Sequence, residues 1–296
     1  MRMKVNDRWA LITGANSGLG LASARLLAAH GLNIIMACRS QRDGEIAVAR
    51  SPRSIQAQLH VRELDLADLA TVRPFMQKVS ALTDKLHVLV NNAGVMEPPW
   101  SVTAQGHELQ FGVNHLGHFL LTMTSMPLFD RTQGARILTV SSLAAEHGQL
   151  DVPYRVAAHS YDRAACYRAS KLANLLFALE LDRRLRRTDP SIRSLAMHPG
   201  YVRTRLQRHV RGPLRQVHSW LTRSLKAQPA TNAATIVLEA ATDPSLQGGA
   251  YLAPSGPGEL SGAPVVRPMP KVALDEAKAM ELWAYSEEIT IPFMRS

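Results

Sequence analysis

Cysteine is scarce in this sequence of 296 residues, and long apolar runs are missing. The two cysteines, Cys38 and Cys166, form no CxxC pair and no Cys/His pattern, so neither a metal site nor a disulfide framework is predicted. Nowhere do about 18 apolar residues follow one another, and no apolar signal region precedes the strand-like run at residues 9–13. We therefore expect a cytoplasmic protein without a membrane span.

Acidic residues are outnumbered, because 34 lysines and arginines stand against 24 aspartates and glutamates, which gives a net charge of +10. A positive field favours anions, so nucleic acid and acidic lipid come into consideration. Because the arginines are scattered through the chain, we interpret most of them as parts of solvated helix faces and predict no nucleic-acid partner. A hydrophobic content of 46% fits a folded domain with a substantial core.

Short β-rich apolar runs alternate with longer segments of helical periodicity. Seven such runs occur, at residues 10–12, 33–38, 59–64, 86–90, 136–140, 192–197 and 250–253. The connections between them are long enough for the helical crossovers that parallel strands require. We predict one α/β domain over residues 1–296, a doubly wound Rossmann-type fold with a parallel sheet of about seven strands and helices on both faces.

Two segments interrupt this alternation, at residues 146–163 and 205–228. In the second, basic residues surround an apolar stripe formed by Leu214, Val217, Leu221 and Leu225. We favour a substrate lid over residues 205–228; the alternatives are a helix that contacts a membrane surface or a partner, and simple core packing. Residues 254–296 form a C-terminal extension, a Pro/Gly-rich loop followed by a helical tail, which we expect to pack on the same domain.

A glycine-rich segment, TGANSGLG at residues 13–20, follows the first predicted strand and opens a helix. Glycines in this place let the backbone approach a pyrophosphate at the positive end of the helix. The first two glycines are four residues apart, unlike the GxGxxG fingerprint, and a turn that only packs strand against helix is the alternative. The predicted contacts with a dinucleotide are Gly14, Asn16, Ser17, Gly18, Leu19 and Gly20.

The end of the second predicted strand carries no acid. An Asp or Glu there would bind the ribose 2′-hydroxyl of NAD, whereas this sequence has Arg39 and Ser40. A guanidinium and a hydroxyl suit a 2′-phosphate, so NADP(H) is favoured over NAD(H). An exposed surface arginine is the alternative interpretation.

Further cofactor contacts are predicted after the third and fourth strands. Asp65 and Leu66 follow the third strand, where the carboxylate would accept a hydrogen bond from an adenine amine or cap a helix. The fourth strand is followed by small and amide side chains that allow close approach of a cofactor and cross-links between neighbouring strands, namely Asn92, Ala93 and Gly94.

Tyr167 and Lys171 are four residues apart at the start of a strongly helical segment, so both side chains project from one face. A phenol with a pKa of about 10 is a poor proton carrier at neutral pH, and a nearby ammonium would lower that pKa. Lys171 would also hydrogen-bond a nicotinamide ribose. This spacing alone is weak support, so the assignment depends on the motifs around it.

Other polar side chains complete the candidate site. Ser141 and Ser142 end the fifth predicted strand and face opposite ways, so one would hold a substrate carbonyl and the other would be structural. Asn114 lies in the preceding helical stretch, where its amide would bind a water that passes protons to the lysine. His115 and His118 share a face without acidic or cysteine companions, so we interpret them as packing or polar-face residues and predict no metal.

In chain order these motifs resemble the short-chain dehydrogenase/reductase family: TGANSGLG, NNAG, Asn114, the serine pair, YRASK and His198-Pro199-Gly200. The resemblance implies a catalytic tetrad, with the tyrosine as general acid/base, the lysine as its modulator, a serine as substrate anchor and the asparagine as water holder: Tyr167, Lys171, Ser142 and Asn114. It also implies contacts with the nicotinamide at Pro199, Gly200, Val202 and Thr204.

The ACRS segment, the 25-residue spacing that selects Ser142, and the helix YRASKLANLLFALEL resemble the retinol dehydrogenase and protochlorophyllide-reductase-like branch. The expected function is an NADP(H)-dependent enzyme that interconverts a carbonyl and an alcohol by hydride transfer, on a small and hydrophobic substrate. A homo-oligomer is left open. The alternative is a non-catalytic NADP(H)-binding sensor or scaffold with the same fold.

Overall fold

The computed structural model describes residues 8–131, 134–151, 154–202 and 228–295. Within these ranges eight strands form one sheet in the order β3-β2-β1-β4-β5-β6-β7-β8. The strands are β1 (Trp9–Thr13), β2 (Asn33–Cys38), β3 (Leu59–Glu63), β4 (Val88–Asn91), β5 (Ala135–Val140), β6 (Ile192–Met197), β7 (Tyr251–Pro254) and β8 (Pro264–Arg267).

The strands from β1 to β7 pair in parallel, and the edge strand β8 pairs antiparallel with β7, with Tyr251 opposite Arg267. The predicted single α/β domain with a doubly wound parallel sheet is confirmed, with one strand more than the seven expected. The extra strand lies in the Pro/Gly-rich segment predicted as a loop. Its two valines follow Pro264 directly and are too short a run to indicate a strand.

Helices cover both faces of the sheet. They are α1 (Gly18–Ala29), α2 (Gln41–Ala49), α3 (Arg53–Gln56), α4 (Val72–Ser80), α5 (Leu109–Phe111), α6 (Gly117–Ser125), α7 (Arg163–Thr188), α8 (Ala230–Thr242) and α9 (Glu276–Arg295), with a π-helical turn at Gly112–Leu116 between α5 and α6. Ala10 and Ile12 of β1 pack with α1 and α8, whereas Leu11 packs with α4, α6 and α7. This alternation follows from the two-residue period of a strand.

The C-terminal extension brings α9 against the face of the sheet that α4, α6 and α7 cover. Trp283 lies edge-on to Phe119 of α6, with ring centroids 5.0 Å apart, and stacks on Phe177 of α7 at 6.0 Å. The guanidinium of Arg184 lies 4.2 Å from the centre of the same indole, a cation–π contact. These contacts bury the tryptophan almost fully.

No helix in the described ranges combines the length and the apolar character needed to cross a bilayer. The same ranges contain no group of three or more His, Cys, Asp or Glu side chains that could hold a metal ion. The predicted lid at residues 205–228 lies outside the described residues, except for Gln228, and so does Thr204.

Candidate active site

The glycine-rich loop after β1 is built so that its backbone lies open at the start of α1. Gly14 has a φ of +64° and donates its N–H to the Ala37 carbonyl oxygen of β2 at 2.8 Å. A Cβ on Gly20 would overlap the Gly14 carbonyl oxygen and the Asn92 amide nitrogen. Side chains larger than hydrogen are therefore excluded where the loop packs against the turn after β4.

The start of α1 fits a dinucleotide pyrophosphate. Ser17 is the N-cap residue, its side chain makes no capping hydrogen bond, and the first turn carries no acid. The positive end of the helix is thus left without a compensating group from the described chain, which is the environment that phosphate oxygens prefer. Cys38 lies beneath the loop and accepts hydrogen bonds from the backbone at Ala15 and Asn16, while burial raises its thiol pKa to about 12.

The end of β2 carries the predicted cofactor-selecting pair. Ser40 is the N-cap of α2 and accepts the Asp43 backbone N–H at 3.2 Å. Arg39 is exposed and makes no hydrogen bond or ion pair with any residue that the structure describes. A cation and a hydroxyl therefore lie at the carboxyl edge of β2, where Glu63 of β3 is paired with Cys38 and Asp43 lies in the first turn of α2.

Asp65 forms a local turn after β3. Its carboxylate accepts the Ala67 N–H at 2.9 Å, and its carbonyl oxygen accepts the Thr71 hydroxyl at 2.8 Å. Asp65 is not the helix cap that the sequence offered as its alternative role. Asp68 caps the 3-10 turn at Leu69–Thr71 instead. Leu66 is buried. A Cβ on Gly117 would lie 2.8 Å from the Leu66 carbonyl oxygen, so the backbone of Leu66 packs tightly against the start of α6.

Thr13, the last residue of β1, organises the turn that follows β4. Its Oγ1 accepts the N–H groups of Asn92 and Ala93, both at 2.9 Å, and the Asn92 amide donates to the Thr13 carbonyl oxygen at 2.7 Å. Gly94 is the next residue, and a Cβ there would come within 3.1 Å of Asn114 Oδ1 and 3.7 Å of Lys171 Nζ. The turn after β4 thus lies directly against two predicted catalytic residues.

His118 is a positioning residue that sequence reasoning missed. Its Nδ1 lies 3.0 Å from the Asn114 carbonyl oxygen, and its Nε2 lies 2.8 Å from Thr13 Oγ1. A carbonyl can only accept, so Nδ1 carries the hydrogen and Nε2 accepts from the threonine hydroxyl. Complete burial lowers the His118 pKa to about 4, which keeps this ring neutral at physiological pH. The i, i+4 relation to Asn114 is the only sequence signal for this role.

Asn114 lies in the π-helical turn and is fully buried. Its Oδ1 accepts the Val95 N–H at 2.8 Å, and its Nδ2 donates to the Val95 carbonyl oxygen and to Ser170 Oγ, both at 3.0 Å. Both amide hydrogens are therefore used, and only a lone pair of Oδ1 is left for the predicted water. In this structure the side chain chiefly joins the turn after β4 to α7.

The two serines at the end of β5 face opposite ways. Ser141 is buried, and its Oγ donates to the Lys171 carbonyl oxygen at 2.7 Å. Ser142 begins a 3-10 turn, accepts the Ala144 N–H at 3.2 Å, and lies close enough to Tyr167 to lower the pKa of its phenol. The structure thus brings Ser142 to the tyrosine and gives Ser141 a structural contact.

The pKa of Tyr167 is raised to about 12, which corrects the expectation that Lys171 lowers it. Burial of the phenol is the largest cause of the raised pKa, the nearby Ser142 side chain works against it, and the negative charge of Glu97 adds to the rise. The Lys171 ammonium lies 5.9 Å from the centre of the tyrosine ring and donates to the Val140 carbonyl oxygen at 3.1 Å. Burial lowers the lysine pKa to about 8.

Glu97 is a second residue that sequence reasoning missed. Its φ of +49° is unusual for a residue with a side chain, and the Gln110 side chain holds its backbone N–H at 2.9 Å. The loop that carries it continues into two prolines, and no motif marks it. A half-buried carboxylate beside a buried phenol is a feature that only the tertiary structure reveals.

A family model described as short chain dehydrogenase matches residues 8–214. The chain belongs to the short-chain dehydrogenase/reductase family. Retinol dehydrogenase 14 from Mus musculus is 39% identical over 298 residues, which cover 96% of this chain and 86% of that protein. Retinol dehydrogenase 13 from Homo sapiens is 38% identical over 302 residues, which cover 96% and 85%. The predicted family, its retinol dehydrogenase-like branch and the assignment as an enzyme are confirmed.

Solved structures agree with this membership. An uncharacterized protein from Mycobacterium paratuberculosis has a TM-score of 0.77 and 36% identity, and the match covers 97% of this short-chain dehydrogenase/reductase and 95% of that chain. 3-ketoacyl-(acyl-carrier-protein) reductase from Brucella melitensis, solved with NADH, has a TM-score of 0.65 at 21% identity, covering 84% and 96%. At that identity the second match shows the fold alone. Its membership of the short-chain dehydrogenase/reductase family makes the enzyme an oxidoreductase of carbonyls and alcohols with a nicotinamide cofactor.

Proposed function

We propose that this enzyme reduces or forms the carbonyl of a hydrophobic small molecule with NADP(H), and that Tyr167 is its general acid/base. The observation that carries the proposal is the juxtaposition of three groups. The Ser142 side chain lies close enough to the Tyr167 hydroxyl to lower its pKa, and the Lys171 ammonium lies on the same helix face as Tyr167, next to the turn after β4.

The proton chemistry follows from these positions. The cofactor supplies or accepts the hydride when it is bound. In reduction, the substrate oxygen gains negative charge, Ser142 donates a hydrogen bond to it, and the Tyr167 phenol gives it a proton. The raised pKa keeps that phenol protonated at neutral pH, as an acid requires. Lys171, with a pKa of about 8, is mostly charged at pH 7 and favours the phenolate that remains.

Preference for NADP(H) is supported by the end of β2. Arg39 is exposed there and unpaired within the described residues, beside the hydroxyl of Ser40. A guanidinium makes two parallel hydrogen bonds to a phosphate, whereas an acid at this place would repel it. Ser40 Oγ also accepts the Asp43 backbone N–H and so caps α2.

A hydrophobic substrate is supported by the relatives, which are named retinol dehydrogenases. We infer an elongated apolar alcohol or aldehyde of that chemical class. The apolar stripe within residues 205–228 suits a lid over such a molecule, and peripheral membrane contact through this segment, homo-oligomer formation and a cytoplasmic location stay predictions.

The test is a comparison of aldehydes with the purified enzyme. All-trans-retinal and long-chain aldehydes should be reduced with NADPH at a higher kcat/KM than small polar aldehydes such as glyceraldehyde. Preferential turnover of the polar aldehydes would contradict the hydrophobic substrate. Tight binding of NADPH without turnover of any carbonyl in the panel would instead favour the non-catalytic sensor.

A further inference from the structure

The turn after β6, at residues 198–202, is held by a loop that comes from the far end of the chain. His198 is fully buried; its Nδ1 accepts the Gly200 N–H at 3.1 Å, and its Nε2 lies 2.8 Å from Glu259 Oε2. Glu259 belongs to the loop between β7 and β8, 61 residues away, and outside the segment that the family model matches.

The hydrogen bonds fix the state of the imidazole. Because Nδ1 accepts from a backbone N–H, it carries no hydrogen, so Nε2–H donates to the glutamate. Burial lowers the His198 pKa and outweighs Glu259 and the more distant Glu146, which raise it, while Arg267 lowers it further. Arg267 Nε also lies 3.0 Å from Glu259 Oε1. Glu259 Oε2 therefore accepts the imidazole N–H, whereas Oε1 faces the Arg267 cation in an ion pair without hydrogen-bond geometry.

The backbone of Glu259 has an unusual conformation that directs its side chain toward His198. Glu259 has a φ of +56° and follows Gly258 at +60°. A residue with a side chain is strained in this region and persists there only where its surroundings require it. The surroundings here are the turn itself, because Tyr201 donates its N–H to the Leu260 carbonyl oxygen at 2.9 Å.

The turn has no room to adjust independently. Gly200 has a φ of +68°, and a Cβ on it would meet the Leu260 carbonyl oxygen at 2.5 Å and the Glu259 carbonyl oxygen at 2.8 Å. The Gln228 side chain donates to the Pro199 carbonyl oxygen at 2.7 Å from the other side. The turn is therefore held from two sides, by the loop at residues 256–262 and by Gln228.

We propose that Glu259 is a positioning residue for the nicotinamide half of the cofactor: through His198 it holds Gly200 in the turn that the cofactor contacts. This inference rests on the proposed function and on the nicotinamide contacts at residues 199–202 that the family resemblance implies. The glutamate touches neither cofactor nor substrate. Its effect passes through one neutral imidazole to one backbone N–H.

A glutamine at this position cannot replace the carboxylate. In either orientation its amide places NH₂ against a donor, either the imidazole N–H or the guanidinium of Arg267. If the imidazole changes tautomer to accept from that NH₂, its Nδ1 gains a hydrogen and loses the Gly200 N–H. Glu259→Gln should therefore weaken the hold on the turn while changing the side-chain volume very little, because one orientation disrupts the imidazole and the other removes the charge that pairs with Arg267.

The experiment compares two ligands by equilibrium titration. NADPH contains the nicotinamide half, whereas 2′,5′-ADP contains only the adenosine half and its 2′-phosphate. Glu259→Gln should raise the Kd of NADPH about tenfold, the size expected for loss of one charge-assisted hydrogen bond, and leave the Kd of 2′,5′-ADP unchanged. The exposed Glu281 on α9 offers a control, because Glu281→Gln makes the same change of charge and should alter neither.

An unchanged NADPH affinity, or an equal loss for both ligands, would overturn the inference. If the wild-type enzyme binds 2′,5′-ADP and NADPH equally well, the nicotinamide contributes nothing at this turn and the inference also fails. A wild-type enzyme that binds neither ligand would instead refute the proposed cofactor. Should the glutamine variant not fold, Glu259→Asp, which keeps the charge and tolerates the backbone but reaches less far, must show the same selective loss.

Discussion

Lys171 Nζ donates a hydrogen bond to the carbonyl oxygen of Val140, the last residue of β5, at 3.1 Å. The carbonyl oxygen of Lys171 in turn accepts from Ser141, the next residue along the same chain segment. The ammonium is thereby held over the ring of Tyr167, 5.9 Å from the ring centre. Helix α7 and the end of β5 thus form one unit that fixes the distance between the Lys171 ammonium and the Tyr167 phenol.

Lys171→Met should lower kcat/KM for carbonyl reduction by about 100-fold or more, because the phenolate loses its stabilising charge. Replacing a buried cation by an apolar side chain of similar length is often neutral or stabilising, so Tm should stay the same or rise. Steady-state kinetics and thermal unfolding measure the two effects. The control is Lys78→Met on the exposed face of α4, and an active Lys171→Met enzyme would refute the role.

Arg39→Asp should raise the Kd of NADPH by about 10- to 100-fold, because a charge-assisted contact is lost and an acid faces the 2′-phosphate. The Kd of NADH should change little or improve, since an acid can bind the ribose 2′-hydroxyl. Fluorescence titration with both cofactors gives the ratio. Arg42→Asp, an equal change of charge on exposed α2, is the control, and an equal loss for both cofactors would contradict the role of Arg39.

The local parts of the site could be predicted from the sequence, and the long-range parts could not. The glycine loop and the Tyr167–Lys171 pair depend on spacings of a few residues, so a single motif reports them. His118 depends on Thr13, 105 residues away, and His198 on Glu259, so no local pattern contains either contact. The direction of the Tyr167 pKa was wrong because spacing places a cation nearby but does not report burial.

The stability of the enzyme should fall as the pH is lowered from about 6.5 to about 4. His118 has a folded-state pKa of about 4, below the ordinary value of 6.5, so the unfolded chain takes up a proton first. The free energy of unfolding then decreases by up to about 1.4 kcal/mol per pH unit for this histidine. Urea titrations across this range measure the slope, which His118→Gln should reduce; an equal slope in both proteins would exclude this histidine as a cause.

Trp283→Ala should lower the free energy of unfolding by about 3 kcal/mol, because it removes the ring that joins α9 to Phe119 and Phe177. Met280 lies on the same helix with 53% of its surface exposed, so Met280→Ala should change stability very little. Chemical denaturation of both variants gives the comparison. Equal stability of the two would mean that the C-terminal helix contributes little to the fold.

The most direct test is the rate of carbonyl reduction by Tyr167→Phe, which removes one hydroxyl and keeps the buried ring. Loss of a general acid should lower kcat/KM by about 100- to 10,000-fold while the Kd of NADPH stays unchanged. Tyr285→Phe removes a hydroxyl that bonds only the Tyr154 carbonyl oxygen among the hydrogen bonds of the described chain, and should keep full activity. A Tyr167→Phe enzyme that reduces its substrate at the wild-type rate would contradict the assignment of Tyr167 as the proton donor.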